Sequence, residues 1–437
     1  MAMAFRESGC SVTALCPSRG HSLPLTTAVQ SWFNYIGLDP LGSLRRAISS
    51  SKPHVIIPCD DTAVQHLHEL YSVVSASNDT FHRQIALLIE RSIGFPPHYS
   101  ATVTRYEVMR IASTLGLAVP DTAIVRQTAD LDVFQRRQPF PWVLKLDGTW
   151  GGSGVKIVRN INEARDEFRK MSAPLGAISA LKRWLINQDP YWFRPWLRRA
   201  RPAVIVQSHI DGRPANSAIA CVGGKSIAGI GVEVIGALSI TGCSSVVRVI
   251  ENRQMMDASE KLAAKLQTSG FHGFDFMIEN STGVAYLIEM NPRCTPICHL
   301  QLGPGHDLVG AFCAEISGAQ PNWRPQTTEL NTIAYFPKAW HWNPKSELLR
   351  TSFHDVPWEE PALLADLIRL PWPDRSFLAQ LYNRARHLTF EGHAADGVLF
   401  SAGSDPVQPE MPFCKPAFIA GYKPEFEEGR GPSVRAS

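Results

Sequence analysis

Residues 271–293, FHGFDFMIENSTGVAYLIEMNPR, bring two carboxylates, an amide and a guanidinium into one short stretch. Phe274, Phe276 and Ile278 alternate with Asp275, Met277 and Glu279, and Val284, Tyr286 and Ile288 alternate with Ala285, Leu287 and Glu289. That period of two predicts two strands, with 280–283 supplying the turn between them. A turn centred near Thr282 sets Asp275 directly opposite Glu289, with Cβ atoms roughly 5 Å apart. Like charges so placed repel, and a divalent cation between them removes the repulsion, since hard cations such as Mg²⁺ take oxygen ligands. Asn291 and Arg293 follow in phase with Glu289. One acidic pair alone reads as a polar hairpin face turned to water; the whole row suits a metal-bound polyphosphate.

A second stretch with chemistry is 147–154, DGTWGGSG, between a strand at 141–146 and another at 155–158. Successive backbone N–H groups in a glycine loop form a nest for anions. Lys145, just before it, is a candidate phosphate contact. The loop is not a Gly-x4-Gly-Lys-Ser/Thr phosphate loop, and Gly-x-Gly-x-x-Gly fails here. No Gly-x-Ser-x-Gly occurs, so no serine nucleophile is indicated.

These pieces must be positioned by an α/β framework. Residues 1–101 read as an α/β unit: a helix at 2–8, strands at 11–16 and 54–58, a helix at 41–50, and a helix begun by Asp60, Asp61 and Thr62. A doubly wound unit opens on a strand, so the first strand is expected to be missing. Further on come helices at 102–117, 129–137 and 162–171, strands at 203–210, 217–222 and 226–234, and helices at 258–267 and 307–317. Two helices are expected at 361–370 and 375–388. Residues 402–437, rich in Pro, Gly and Glu, read as disordered. Residues 173–202 carry Trp184, Trp192 and Trp196 among six Lys and Arg; Pro190 and Pro195 break any long amphipathic helix, which favours an insertion packed on its neighbour.

The whole composition narrows the class. The chain has 437 residues and a formal charge of +3, too small to argue for nucleic acid. No apolar run approaches the ~18 residues of a membrane span. Arg6 and Glu7 interrupt any signal-peptide core. Nine cysteines without CxxC pairs fit reduced thiols in a cytoplasmic protein; Cys294, Cys298 and His299 read as packing rather than a metal site.

Taken together, 143–145, the loop 148–154, the strand 204–210 followed by Asp211-Gly212, and Asp275 followed by Glu289-Met290-Asn291-Pro292-Arg293 resemble the ATP-grasp superfamily, of the biotin carboxylase and carbamoyl phosphate synthetase large-chain type. The resemblance implies an N-terminal domain of the kind that precedes ATP-grasp over 1–101, an ATP-grasp domain over 102–320 with a lid at about 140–212, a C-terminal helical extension over 321–401, and a tail. It implies an ADP-forming carbon–nitrogen ligase using ATP and Mg²⁺ or Mn²⁺, with a small-molecule carboxylate and amine as partners, no nucleic acid and no membrane; a homo-oligomer stays open. Lys145 would hold phosphates and Gly151, Gly152, Ser153 and Gly154 would cover them. Gln207, Ser208, His209 and Ile210 would form the adenine hinge. Asp275, Glu289 and Asn291 would hold metal, and Arg293 would steady the transferred phosphate. Arg105 stands where the family usually has a lysine, and Ser208 where the hinge usually has an acid. Arg248 and His299 are candidates near the acceptor. The alternative function is an ATP-binding regulatory or assembly protein without chemistry.

Overall fold

The computed structural model describes residues 1–17, 20–146, 154–173, 203–237, 242–321, 323–369, 375 and 398–399. The N-terminal part runs α1 (Ala2–Glu7), β1 (Thr13–Cys16), β2 (Ser31–Asn34), α2 (Pro40–Ser51), α3 (Asp61–Ser75) and α4 (Thr80–Ile93). Each of the last three helices has an aspartate at its N-cap: Asp39, Asp60 and Asp79 accept from Gly42, Ala63 and Phe81 N–H groups. Leu44, Ile48, Leu67, Leu70, Ile85 and Ile89 knit these helices into one cluster. β1 and β2 pair in parallel as a two-stranded sheet. Residues 54–58, expected as a strand, join no ladder among the described residues. Their polar groups go elsewhere: Ile56 N–H to Ser92 Oγ at 2.9 Å, and the Pro58 carbonyl to Cys294 N–H at 3.2 Å.

A second, four-stranded antiparallel sheet comes next. Its order is β3 (Thr122–Val125), β6 (Val204–Ser208), β4 (Trp142–Leu146), β5 (Val155–Val158). β4 and β5 form the hairpin expected around the glycine loop, Lys145 pairing with Val155, and Leu146 N–H reaches the Gly154 carbonyl at 3.0 Å. Gly154 has φ +93°, a left-handed conformation that glycine adopts without penalty. Trp142, Leu144 and Val206 are fully buried on the face covered by two helices, 128–135, which contributes Phe134, and 161–172.

The large sheet has the order β11 (Ala285–Asn291), β10 (Gly270–Glu279), β7 (Gly212–Val222), β8 (Lys225–Ala237), β9 (Ser244–Val249), β12 (Thr332–Ala334), β13 (Phe353–His354), and β14 (Val398–Leu399) also pairs with β8. Thus 321–401, expected as helical, contributes three short strands as well as helices. One face packs on the helices 105–114 and 253–266 through Phe274, Phe276, Ile278, Ala285, Leu287 and Met290. The other packs on α1 and the helix 308–317 through Phe5, Ala218, Val232, Phe271 and Phe312. Among the described residues no helix is long and apolar enough to cross a membrane.

Candidate active site

Asp275 and Glu289 are direct partners across β10 and β11. The route differs from a hairpin symmetric about Thr282. Near the turn Ile278 pairs with Ala285 and Met277 with Tyr286, a register that would set Asp275 against Ile288 and drive Glu289 into the apolar face. A β-bulge at Ile288 shifts the strand by one residue. Leu287 stays opposite Phe276, both buried, and Glu289 moves opposite Asp275. Burying a side chain such as Leu287 or Phe276 stabilises by about 1.5–3 kcal/mol, enough to fix both register segments. The bulge also frees the Ile288 carbonyl, which accepts from Lys145 Nζ at 3.3 Å.

Each charge in the row has a partner from another element. Glu289 Oε1 accepts from Arg105 at 3.0 and 2.8 Å, with both side chains largely buried. Arg105 opens the helix Arg105–Thr114, and its guanidinium also donates to the Leu146 carbonyl, so it ties the acid to the strand bearing Lys145. Asp275 accepts from Asn216 Nδ2 at 2.6 Å and from Asn291 Nδ2 at 3.3 Å. Asn291 in turn accepts from Arg293 at 3.4 Å. Arg293 donates to Asp61 Oδ2 at 2.7 Å, bringing the first turn of α3 into the site.

The electrostatics show what the row lacks. Burial, then the neighbouring Glu289, push Asp275 up to about 6 against its amide partners. Burial pulls Lys145 down to about 8, against the attraction of Glu289. Asp61 is raised chiefly by burial, with Arg293 opposing. A cation among these oxygens would relieve the Asp275 carboxylate, and two carboxylates with an amide are hard oxygen donors, so Asp275, Glu289 and Asn291 fit Mg²⁺. Among the described residues no group of three or more His, Cys, Asp and Glu side chains gathers as a metal site. The candidate site therefore needs Asn291, or a ligand's own oxygens, beside its two acids.

At the hinge, Gln207 is buried with its amide on Thr122 Oγ1 at 3.1 Å. Ser208 serves the sheet: its N–H donates to the Asp121 carbonyl at 2.9 Å and its Oγ accepts from Asp121 N–H at 3.0 Å. His209 N–H is spent on the Pro141 carbonyl at 3.3 Å. The His209 carbonyl and Ile210 N–H take no partner among the described residues. Gly151, Gly152 and Ser153, like residues 174–202 of the basic insertion, lie outside the described residues. Arg248 is not brought to the acids: it pairs in register with Glu233 and Thr332, on the opposite face from Asp275.

Three contributors escaped the sequence reading. Asn216 becomes visible only when β7 is paired with β10. Asp61 looked like a helix-start residue, which it also is. Met277, flanked in register by Pro214 and Tyr286 on the face of Asp275, makes a half-buried floor two residues from the acids. Alternation pointed to Met277; nothing local pointed to the other two.

Comparison with protein families matches residues 106–296 to the ATP-grasp domain. The chain carries an ATP-grasp domain. Among solved structures, the ATP-grasp fold here resembles the biotin carboxylase domain dimer of Hydrogenobacter thermophilus 2-oxoglutarate carboxylase, in complex with MgADP, ADP and bicarbonate, at 14% identity over 74% of this chain and 68% of that one, TM-score 0.52. N5-carboxyaminoimidazole synthetase from Staphylococcus aureus, complexed with ADP, matches at 14% identity over 74% of each chain, TM-score 0.50. Biotin carboxylase from Campylobacter jejuni, in a complex with β,γ-ATP, matches at 11% identity over 73% and 68%, TM-score 0.52. At these identities the likeness is one of fold. No curated protein matches the sequence. Lys145, on the smaller sheet, reaches the Ile288 carbonyl of the large one, and Arg105, at the start of its helix, touches both, through the Leu146 carbonyl and Glu289.

Proposed function

We propose that this protein is an ATP-dependent ligase that activates a carboxylate as an acyl phosphate for attack by an amine, or a thiol. The observation that carries this reading is the register-opposed Asp275–Glu289 pair, followed by Asn291 and Arg293, within an ATP-grasp fold. Such a pair is costly, and a nucleotide site that has lost its chemistry has little need to keep the whole row.

In the first step an oxygen of the substrate carboxylate attacks the γ-phosphorus of ATP; an O–P bond forms, the β–γ bridge breaks, and ADP leaves. In the second the amine forms a C–N bond and orthophosphate departs. Neither step requires a protein nucleophile; positioning and charge neutralisation suffice. Asp275, Glu289 and Asn291 would hold Mg²⁺, which when bound neutralises phosphate oxygens as charge moves. Lys145 and Arg105, the latter bound to Glu289 in this structure, would hold phosphates. Gly151, Gly152, Ser153 and Gly154 would cover the phosphates, and Arg293, held by Asp61, would steady the group in transfer. The unspent His209 carbonyl and Ile210 N–H match the donor and acceptor that an adenine edge presents, and Met277 would floor the base.

The test is ADP release with MgATP and a panel of amino acids and small acids supplied in pairs. A pair that stimulates release in the native protein and fails with Glu289→Gln supports the reading. Substrate-stimulated turnover unchanged in that variant refutes the metal assignment. ATP binding with no stimulated release for any pair favours the regulatory alternative.

A further inference from the structure

The loop leaving β11 carries a side chain the mechanism above does not use. Residues 292–300 turn back over the large sheet. Thr295 lies so close to Gly273, the partner of Asn291, that a Cβ on Gly273 would stand 2.2 Å from the Thr295 methyl. Thr295 N–H donates to Cys298 Sγ at 3.2 Å, and Cys294, Ile297, Cys298 and Leu300 are buried. His299 stands between two buried residues and is turned outward, with 32% of its side chain exposed. Its Nε2 lies 3.1 Å from Oδ2 of Asp355, whose side chain is only 13% exposed. The other Asp355 oxygen accepts from Phe336 N–H at 2.5 Å, so this carboxylate is held from two sides.

The chemistry of the pair is directional. A carboxylate only accepts, so the 3.1 Å contact favours the tautomer with the proton on Nε2 and a lone pair on Nδ1. Nδ1 has no partner among the described residues. Asp355 follows β13, so the C-terminal segment orients a side chain on the loop that begins beside Arg293. An imidazole with one nitrogen facing a carboxylate and the other open has the groups a general base needs.

We propose that His299, oriented by Asp355, takes the proton from the attacking amine, so that the acceptor is an amine arriving as an ammonium ion. This rests on the ligase reading above. The ammonium nitrogen has no lone pair. One proton moves to Nδ1; the nitrogen then forms its bond to the acyl carbon, the carbon–oxygen bond to phosphate breaks, and orthophosphate leaves with the electron pair and takes up the second proton that the nitrogen sheds as the amide forms. Imidazolium pairs with the Asp355 carboxylate until it releases the proton to water. Asp355 acts through His299 and is a positioning residue.

The test separates the two half-reactions in the full-length protein, with the acid and amine found by the panel. Hydroxylamine is neutral near neutral pH and needs no deprotonation before attack, so hydroxamate yield reports acyl phosphate alone. His299→Gln should leave hydroxamate formation unchanged and lower amide formation about 100-fold, within the span typical of general-base loss. Added imidazole should restore part of the amide rate in His299→Ala. Asp355→Asn should lower kcat for amide about tenfold with the amine KM unchanged. Amide formation at the native rate in His299→Gln overturns the proposal. So does parallel loss of hydroxamate and amide, or no imidazole rescue. A native protein that forms neither hydroxamate nor amide with any pair overturns the ligase reading itself, and this inference with it.

Discussion

Two rows of charged side chains cross the large sheet on opposite faces, and they are balanced in opposite ways. On one face Glu233 of β8 stands directly across from Arg248 of β9 and 3.0 Å from Arg213 of β7. Opposite charges are neighbours there, and the sheet neutralises itself. On the other face Asp275 and Glu289 are neighbours of like charge. Their compensation comes from outside the pair: Arg105 from a helix, Asn216 from the next strand, and Arg293 held by Asp61 of the N-terminal part. The first row is what a sheet does with charge for stability's sake. The second costs stability, as the metal site proposed above would require.

Substitutions can break or sharpen that contrast. The largest effect is expected from Glu289→Gln, which should lower stimulated ADP release about 100-fold or more while the melting temperature stays near native, measured by coupled assay and calorimetry. Next is Asp275→Asn in metal-free protein. The folded pKa of about 6 lies above the ordinary 3.8, so the folded state binds more protons between these values. The stability tied to this group is present below about pH 4 and lost as pH rises through 6, by about 3 kcal/mol. Asp275→Asn should therefore melt higher than native at pH 7.5 and equally at pH 4, and should lose the stabilisation MgATP gives the native protein. A native-like melt at both pH values would show that the acidic row is not frustrated.

Lys145→Met should weaken ATP binding about tenfold by titration calorimetry, about 1.4 kcal/mol, and stabilise the apo protein near neutral pH because burial already disfavours that charge. The smallest effect belongs to the opposite face. Glu233→Gln should cost about 1 kcal/mol of stability by denaturant unfolding, with turnover unchanged. Loss of turnover there would erase the distinction between the rows.

Much of the site was legible in one dimension. Period-two alternation located both strands of the hairpin, and Glu289, Asn291 and Arg293 sit in phase because side chains on a strand alternate faces. The glycine loop was legible as a hairpin because strands flank it on both sides, and β4 pairs with β5 as expected. The strand expected at 54–58 failed because an apolar run says nothing about whether a partner strand lies beside it. Ser208, which stands where the hinge usually has an acid, bonds Asp121 through its hydroxyl and its N–H, a pairing that no local spacing announces.

By itself the sequence determined which chemical groups are present and how they are phased along each strand, since alternation and turn chemistry act between near neighbours. Only the tertiary structure decided that a bulge at Ile288 delivers Glu289 to Asp275, that Asn216 and Asp61 join them, and that Asp355 meets His299. All but the first are meetings between residues far apart in the chain. They are settled by which apolar faces bury together, as when Leu287 follows Phe276 into the core, and local spacing carries no record of that choice.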